Sequence, residues 1–569
     1  MWKWGGGGKS ASQGIKETAT PKMYQSSFTP KGPGANVYKE KLDYFSDNFI
    51  KFFTDRGEID KVKGYDTPIK VRVSSGDGAG KQVLLSSISD LYGESLDQNR
   101  FTDAIKRAFN VEITHKFISS DYSQQLRLDM AANDLPDIFP VQNQADLTEL
   151  AKAGVIHDLT GLVAQYNSKY IESCWTDGGN PMVDMATVDG KLYGLPLTYP
   201  ATDAISYLWV RGDWLTALNL QPPKTMDDLV KIMEAFTNAD FDKNGIKDTF
   251  GLALGRDIFW GTRGIFTAFS AYPEYWVNKS GALMWGGVDE NNKKALAWLA
   301  DLYKRGFIDK EFVSGKNRNE SLIGGKAGLA YGGHWEVSNF QDTLTLDPNA
   351  DFYTIPIPTA DGKPVKSPIA PNTNWGWTAV NKKFANPEIA FKMQSLYDYI
   401  YESKDSSWYI FESFSGADYS NGLANWIKVD SPWENTKAFE SLEKSYAAGW
   451  DESLIGPGAW AWYEALMKPE SAYAWERMVG PQYPHSAFYI LKDIIGTEQY
   501  FWNAYYGSPS TYMQDHWQQI RDEQLVAFTK IITGDLDVNA GFDEWVKNFN
   551  SMGGERITRE VNDWYKERN

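Results

Sequence analysis

Two sets of residues in this sequence have the types and spacing to do chemistry. The first is Asp240-Phe-Asp242-Lys-Asn244-Gly245-Ile246-Lys-Asp248. It puts side-chain oxygens at positions one, three, five and nine of a calcium loop, glycine at position six, where such a loop must turn, and the Ile246 carbonyl at position seven. Hard oxygen donors at alternate residues can converge on one Ca2+. Asp240, Asp242, Asn244, Ile246 and Asp248 are therefore candidate ligands of a structural calcium ion. The twelfth position is Gly251, which cannot supply the bidentate carboxylate of an EF-hand, so Thr249, another segment or water must close the shell. The competing reading is an Asx-rich turn with no ion.

The second set is aromatic. In Leu322 to Val337 (Leu-Ile-Gly-Gly-Lys-Ala-Gly-Leu-Ala-Tyr-Gly-Gly-His-Trp-Glu-Val), Gly328 to Tyr331 reads as a short buried strand. Gly332-Gly333 reads as a sharp exit that uses backbone conformations closed to other residues. His334, Trp335 and Glu336 then stand at the strand's end, where open α/β sheets bind ligands. The chain has 23 Trp, so Trp335 as one more core aromatic is the alternative. Trp and Tyr supply much of the 15% aromatic content, and each joins a flat apolar face to a polar edge. That combination stacks on sugar rings while tolerating water.

Composition narrows the field. A chain of 569 residues exceeds what one hydrophobic core organises, so two or more lobes are expected. No run of eighteen apolar residues occurs, so no membrane span is read. A net charge of −17 disfavours nucleic acid and other polyanions, and a neutral or cationic ligand is easier to accommodate. The single Cys174 excludes an internal disulfide and any Cys-cluster metal site, and five scattered His carry no zinc spacing. Gly5 to Ser10 imitates a phosphate loop, but Lys3 stands where its first glycine must be and no strand precedes it. Residues 1–36, rich in Gly, Ser, Lys and Thr, read as a flexible tether.

The elements that position these residues alternate. Pro68 to Ser74 is a strand pattern, Asn99 to Phe109 a helix, Val111 to Phe117 a strand and Tyr122 to Met130 a helix, followed by Pro136-Asp137-Ile138-Phe139. A βαβαβ opening implies a doubly wound lobe. Asp146 to Ala153 continues as a helix closed by Gly154.

Leu126 to Phe139 (Leu-Arg-Leu-Asp-Met-Ala-Ala-Asn-Asp-Leu-Pro-Asp-Ile-Phe), Asp189 to Pro196 (Asp-Gly-Lys-Leu-Tyr-Gly-Leu-Pro) and Gly324 to Trp335 resemble extracellular solute-binding proteins of ABC importers. So do the C-terminal Phe528 to Gly534 and Thr558 to Tyr565. The resemblance is to the large lipoprotein branch of Gram-positive bacteria, similar to alginate- and maltose-binding types, and covers nearly everything after about Pro68.

It implies an α/β, two-lobe periplasmic-binding-protein-like fold with doubly wound sheets and an interlobe hinge. The expected organisation is a tether over 1–36, the first part of lobe 1 over 37–205, and the first part of lobe 2 over 206–372 with the calcium loop at 240–248. Residues 373–569 then return to lobe 1, with C-terminal helices contributing to both lobes. Ser206 to Arg211 looks like the crossing strand, Asp213 to Leu218 and Asp227 to Thr237 like helices of the second lobe, Trp375 to Val380 like the return and Pro387 to Tyr401 like a helix after it.

By the same resemblance, further aromatics fall on the cleft: Trp260 in a loop after the strand Gly251 to Leu254, Tyr199 at the lobe crossing, and Trp375 and Trp377 at the return. Gln142 and Asn143 beyond Val141, Asn374 before Trp375, and Glu336 and Arg256 are the hydrogen-bonding candidates. His334 and Glu336 have no catalytic partner nearby in sequence and read as polar rim around Trp335. The implied function is non-catalytic capture of oligosaccharides outside the cell and delivery to an ABC transporter permease. The protein is expected to act as a monomer. It is expected on the outer face of the membrane, held there only by a lipid anchor whose cysteine is absent from this chain. A secreted glycoside hydrolase, or the same receptor fold with a peptide or polyol cargo, are the alternatives.

Overall fold

Phe45, Phe49 and Phe53 recur every fourth residue along a helix, α1 (Ala35–Asp55), and all three are fully buried. Phe49 meets Phe109 and Tyr399 with ring centroids 5.8 and 5.5 Å apart. The sequence pattern does not announce this helix, yet it carries part of the first core. The computed structural model describes residues 14–26, 28–29, 31–32, 35–76, 93–119, 121–241, 244–315, 317–370, 376–403 and 427–568.

The chain divides into two compact units. One comprises Met1–Pro200, Pro371–Glu434 and Gly456–Gly458, the other Ala201–Ala370, Asn435–Ile455 and Ala459–Asn569. The expected crossing and return fall within a few residues of these limits. The C-terminal share differs: beyond Glu434 it belongs almost wholly to the second unit.

The first unit is built on a five-stranded sheet of β1 (Ile69–Gly76), β2 (Val111–Ser119), β3 (Ile138–Val141), β4 (Leu195–Pro196) and β9 (Trp377–Val380), in the order β2-β1-β3-β9-β4. β1 runs parallel to β2 and β3, as the βαβαβ reading requires, whereas β9 is antiparallel to β3 and to β4. The crossover helix α2 (Arg100–Phe109) starts at Asn99, whose side chain accepts from the Phe101 and Thr102 N–H groups in a capping box. Gly154, at φ +67°, closes the helix Gln144–Lys152.

The described part of the N-terminal segment is not a free tether. Ile15 exchanges backbone bonds with the Asn386 side chain at 3.1 and 2.8 Å, and Glu17 lies 2.6 Å from Lys392, which is fully buried. A buried ammonium needs a counter-charge, and the segment supplies it.

The second unit has a four-stranded sheet of β5 (Tyr207–Arg211), β6 (Phe250–Leu252), β7 (Ala327–Gly332) and β8 (Phe352–Ile355), in the order β8-β5-β7-β6. β7 is parallel to β6 and antiparallel to β5, which is antiparallel to β8. Both sheets are mixed, each joining parallel and antiparallel neighbours, within the expected two-lobe α/β architecture. Three C-terminal helices (Thr511–Thr533, Val538–Ser551, Gly554–Lys566) complete this unit's core. Their grip is specific, because the Trp545 indole N–H donates to the Gly287 carbonyl at 2.8 Å and the Trp285 indole N–H to Gln524 at 2.9 Å. Much of the Trp excess is spent here.

Candidate functional site

The glycine pair after β7 does its work through space rather than through unusual dihedrals. Gly333 lies at φ −69°, ψ 172°, which any residue adopts, and neither glycine has positive φ. A Cβ on Gly332 would sit 2.5 Å from Glu336, and one on Gly333 2.6 Å from the Trp335 ring. The chain therefore folds its next turn, His334–Glu336, directly back onto the glycine backbone. The Trp209 indole N–H, from β5, donates to the Gly333 carbonyl at 3.0 Å and pins the exit.

Trp335 is half-buried and stacks on Trp260, with centroids 5.7 Å apart and planes 17° from parallel. Trp260 is also half-buried, but it stands in the first turn of α3 (Ile258–Ala268) and not in a loop. That helix is capped by Asp257, which accepts from the Phe259 N–H. The Arg263 guanidinium, one turn on, lies 4.7 Å from the Trp260 centroid and pairs with Glu274 at 2.9 Å.

Glu336 is not polar rim. It is 3% exposed, and its carboxylate is taken up by the Trp260 indole N–H at 2.9 Å, the Arg318 guanidinium at 2.5 Å and the Asn339 amide at 3.2 Å. Arg318 also donates to the Tyr331 carbonyl at 2.6 Å, tying the bracket to the last residues of β7. Glu336 and Arg318 thus fix the orientation of Trp260 against Trp335. Arg318 and Arg263 were not legible as site residues, since each acts through a partner remote in sequence.

His334 sits edge-on to Trp335 and to Phe488, at 4.9 and 4.8 Å. Burial pushes its imidazole down to about 3, so it is neutral at physiological pH. A neutral imidazole wedged between rings and a carboxylate saturated by three donors position an aromatic surface. Arg256 is exposed on the loop before α3.

The first-unit candidates divide differently. Trp377 is fully buried in β9 and its indole N–H donates to the Met182 carbonyl at 2.9 Å, so it is core and offers no face to a ligand. Tyr199 is 9% exposed with Lys428 placed 4.7 Å from its ring centroid, which also puts it in the packed interior. Asn143 caps the helix Gln144–Lys152, accepting from the Asp146 N–H at 2.8 Å and donating to the Asp146 carboxylate at 2.6 Å. Its amide is committed to that cap. Gln142 is half-buried beside it. Asn374 and Trp375 lie outside the described residues.

In the 240–248 loop, Asp242 also lies outside the described residues. The Asp240 carboxylate accepts from the Asn244 and Gly245 N–H groups at 3.1 and 3.0 Å, and Asn244 Oδ1 accepts from the Ile246 N–H at 2.7 Å. Asn244 Nδ2 reaches Asp248 at 3.3 Å, which brings three oxygen-bearing side chains onto one turn. Gly245 makes the turn at φ +75°. Asp248 pairs with Lys326, whose hydrogen bond holds its carboxyl below the usual range and hence ionised. Among the described residues no group of three or more His, Cys, Asp or Glu is gathered for a metal. The donor set nevertheless fits a hard cation in kind, with Lys326 supplying a charge a cation would otherwise supply.

Comparison with known proteins bears on what the aromatic pair serves. The family described as "Bacterial extracellular solute-binding protein" matches residues 95–394. The chain is 26% identical over 324 residues to the polygalacturonan/rhamnogalacturonan-binding protein YtcQ of Bacillus subtilis (strain 168). That match covers 56% of this chain and 62% of YtcQ, so it spans less than two thirds of that relative's length. It is also 26% identical over 244 residues to the fructooligosaccharide ABC transporter substrate-binding protein FusA of Streptococcus pneumoniae serotype 4, covering 40% of this chain and 45% of FusA. Among solved structures, the alginate-binding protein AlgQ2 without calcium ion shares the fold with a TM-score of 0.57 at 16% identity, over 88% of this chain and 98% of AlgQ2. Among the described residues no helix is long and apolar enough to cross a membrane.

Proposed function

We propose, for a chain that belongs to the bacterial extracellular solute-binding protein family, that it binds oligosaccharides outside the cell and passes them to an ABC transporter permease. The observation that carries this is the Trp335–Trp260 stack, half-buried and locked by the Glu336–Arg318 bracket. Indole faces bind the apolar C–H faces of sugar rings, and their worth depends on being held in place before the ligand arrives. Burial of a whole aromatic side chain is worth roughly 4–6 kcal/mol gross. Each indole here already spends one face on the other, so about half of that, roughly 2–3 kcal/mol, remains for ligand. Hydrogen bonds to hydroxyls must supply the rest of a micromolar affinity, about −8 kcal/mol.

The ligand we favour is a neutral oligosaccharide. Both arginines at the stack are already paired, Arg318 with Glu336 and Arg263 with Glu274, and the net charge of −17 opposes a polyuronate. The sugar polymers in YtcQ's name and the fructooligosaccharides in FusA's name support a carbohydrate ligand, and FusA's name supports a transporter partner. The saturated carboxylate of Glu336 and the neutral His334 support a receptor without catalysis. We place the protein outside the cell as a monomer, and its lipid anchoring follows the family resemblance. The test is a fluorescence and calorimetric titration with neutral gluco-, xylo-, manno- and galacto-oligosaccharides against oligogalacturonate. Saturable binding of a neutral series with no product released is expected. Preference for oligogalacturonate would overturn the neutral assignment, and product release the receptor reading.

For the 240–248 loop we propose a structural Ca2+ held by Asp240, Asp242, Asn244, the Ile246 carbonyl and Asp248. Binding to the folded loop alone would raise stability by about 2.7 kcal/mol at a hundredfold excess over Kd. Calorimetric uptake of calcium and a lower melting temperature after chelation are expected, and their joint absence would defeat the assignment.

A further inference from the structure

Pro200 is the last residue of the first unit before the chain enters the second, and the first structure it then forms is the short 3-10 turn Ala201–Ala204. From Tyr207 the same segment becomes β5. The turn has little to hold itself, its closing bond running from the Ile205 N–H to the Thr202 carbonyl at 3.1 Å, so groups outside it decide its course. Two of those groups belong to residues that also touch the aromatic pair. The Arg263 guanidinium donates to the Ala204 carbonyl at 3.2 Å while lying 4.7 Å from the Trp260 ring centroid. Further along the segment the Trp209 indole N–H donates to the Gly333 carbonyl at 3.0 Å, and Gly333 has the Trp335 ring packed against it. Each indole of the pair is thus one residue away from the chain that enters the second unit.

Arginine suits the first of these links and lysine does not. Nη1 serves Ala204, Nε and Nη2 serve Glu274 at 3.2 and 2.9 Å, and the same guanidinium lies near the rings of Trp260 and Tyr275, the latter at 5.6 Å. All of these donors share one rigid plane, so the guanidinium cannot follow a movement of the indole without moving against the carbonyl. Glu274 has a second cation, Arg521, at 3.4 Å, so its own charge stays compensated without Arg263. A third grip on the turn bypasses the pair. Asn435, where the chain re-enters the second unit after Glu434, donates from its amide to the Thr202 hydroxyl at 3.1 Å and to the Asp203 carboxylate at 2.8 Å.

We propose that Arg263 is a coupling residue, which passes occupancy of the Trp335–Trp260 stack to the Ala201–Ala204 turn and so determines how far a bound ligand shifts the arrangement of the two units. This rests on the oligosaccharide reading given above. Two compact units joined by a few chain crossings move relative to one another unless something prevents it, and the connecting residues absorb the change in backbone angle. A ligand shifts such an equilibrium only through interactions that differ between its two states. Arg263 provides one: a sugar that fixes the Trp260 plane fixes the guanidinium, and through it the Ala204 carbonyl. The measured affinity then includes the fraction of molecules in the binding-competent arrangement, and losing the link lowers that fraction.

The test uses the full chain and the tightest-binding neutral member of the gluco-, xylo-, manno- and galacto-oligosaccharides, with wild type, Arg263→Met, Arg263→Lys and Asn435→Ala. Small-angle X-ray scattering with and without saturating sugar reads the arrangement of the units, and tryptophan fluorescence reads the stack. Wild type should contract on saturation. Arg263→Met should keep a saturable fluorescence change, bind about tenfold more weakly and fail to contract. Arg263→Lys, which keeps a charge beside Glu274 but not the fork, should behave in the same way. Asn435→Ala should contract like wild type. Should neither Arg263 variant fold, hydrogen exchange of the wild type decides, because sugar should slow it across Ala201–Ile205. Arg263 variants that contract fully, an Asn435→Ala protein that fails to contract, wild type that binds without contracting, or exchange over 201–205 that sugar leaves unchanged overturns the proposal. Wild type that binds no oligosaccharide overturns instead the reading on which it rests.

Discussion

Replacing Glu336 by Gln should destabilise the second unit and misplace Trp260. The Glu336 and Arg318 side chains are 5% and 11% exposed, and the carboxylate is the guanidinium's partner at 2.5 Å. Removing one partner of a buried pair costs about 3–5 kcal/mol, because the other charge is left without compensation. The amide keeps the shape and one acceptor oxygen, which puts the expected loss near the low end, about 3 kcal/mol. At roughly 2 °C per kcal/mol for a large domain, the melting temperature should fall by about 6 °C. Circular dichroism melts without ligand measure this. A second variant separates charge from packing: adding Arg318→Met to Glu336→Gln removes the stranded cation and should recover most of the loss. A Glu336→Gln protein melting within about 1 °C of its parent, or a double variant no more stable than the single one, would refute the bracket.

Three further outcomes follow from the same geometry. Gly333→Ala sets a methyl 2.6 Å from the Trp335 ring at a dihedral angle that alanine tolerates, so it should displace the indole and weaken sugar binding several-fold; unaltered affinity by titration would show that the indole position is immaterial. Trp377→Phe should lower the melting temperature through a cavity and a lost hydrogen bond of about 1 kcal/mol, while sugar affinity stays within about twofold; a large loss of affinity in a folded variant would return Trp377 to the site. His334 is depressed to about 3 by burial, so the unfolded chain binds more protons between about pH 3 and 6.5, and stability falls as pH drops through that window. The loss at pH 5 is at most about 2 kcal/mol, and His334→Gln should flatten the difference between urea unfolding at pH 7 and pH 5; an equal pH dependence in the variant would contradict it.

Local patterns in the sequence located most of the scaffold that carries the site. Alternation marked Ile69–Gly76 and Val111–Ser119, and helical spacing marked Arg100–Phe109. The segment ending at Trp335 was legible because a buried strand followed by two glycines has few other uses. Its reason was not. Dihedral freedom is a property of one residue, whereas the closeness of Trp335 to Gly333 arises only once the turn has folded. The same limit hid Arg318, 18 residues from Glu336, and put Trp260 in a loop although it bonds to a carboxylate 76 residues away. Trp377 misled because an indole at a strand's start looks alike whether it faces core or solvent. Helix α1 stayed hidden behind a polar surface, while its phenylalanines at every fourth residue fill the first core.

The most direct measurement is a paired titration of wild type and Trp335→Ala with a neutral oligosaccharide, following tryptophan fluorescence and checking each sample for product. Saturable binding without turnover, weakened at least about tenfold in a variant that melts like its parent, is the predicted result, equivalent to about 1.4 kcal/mol. Equal affinity in a folded Trp335→Ala protein would contradict the claim that the Trp335–Trp260 stack is the surface on which sugar lies.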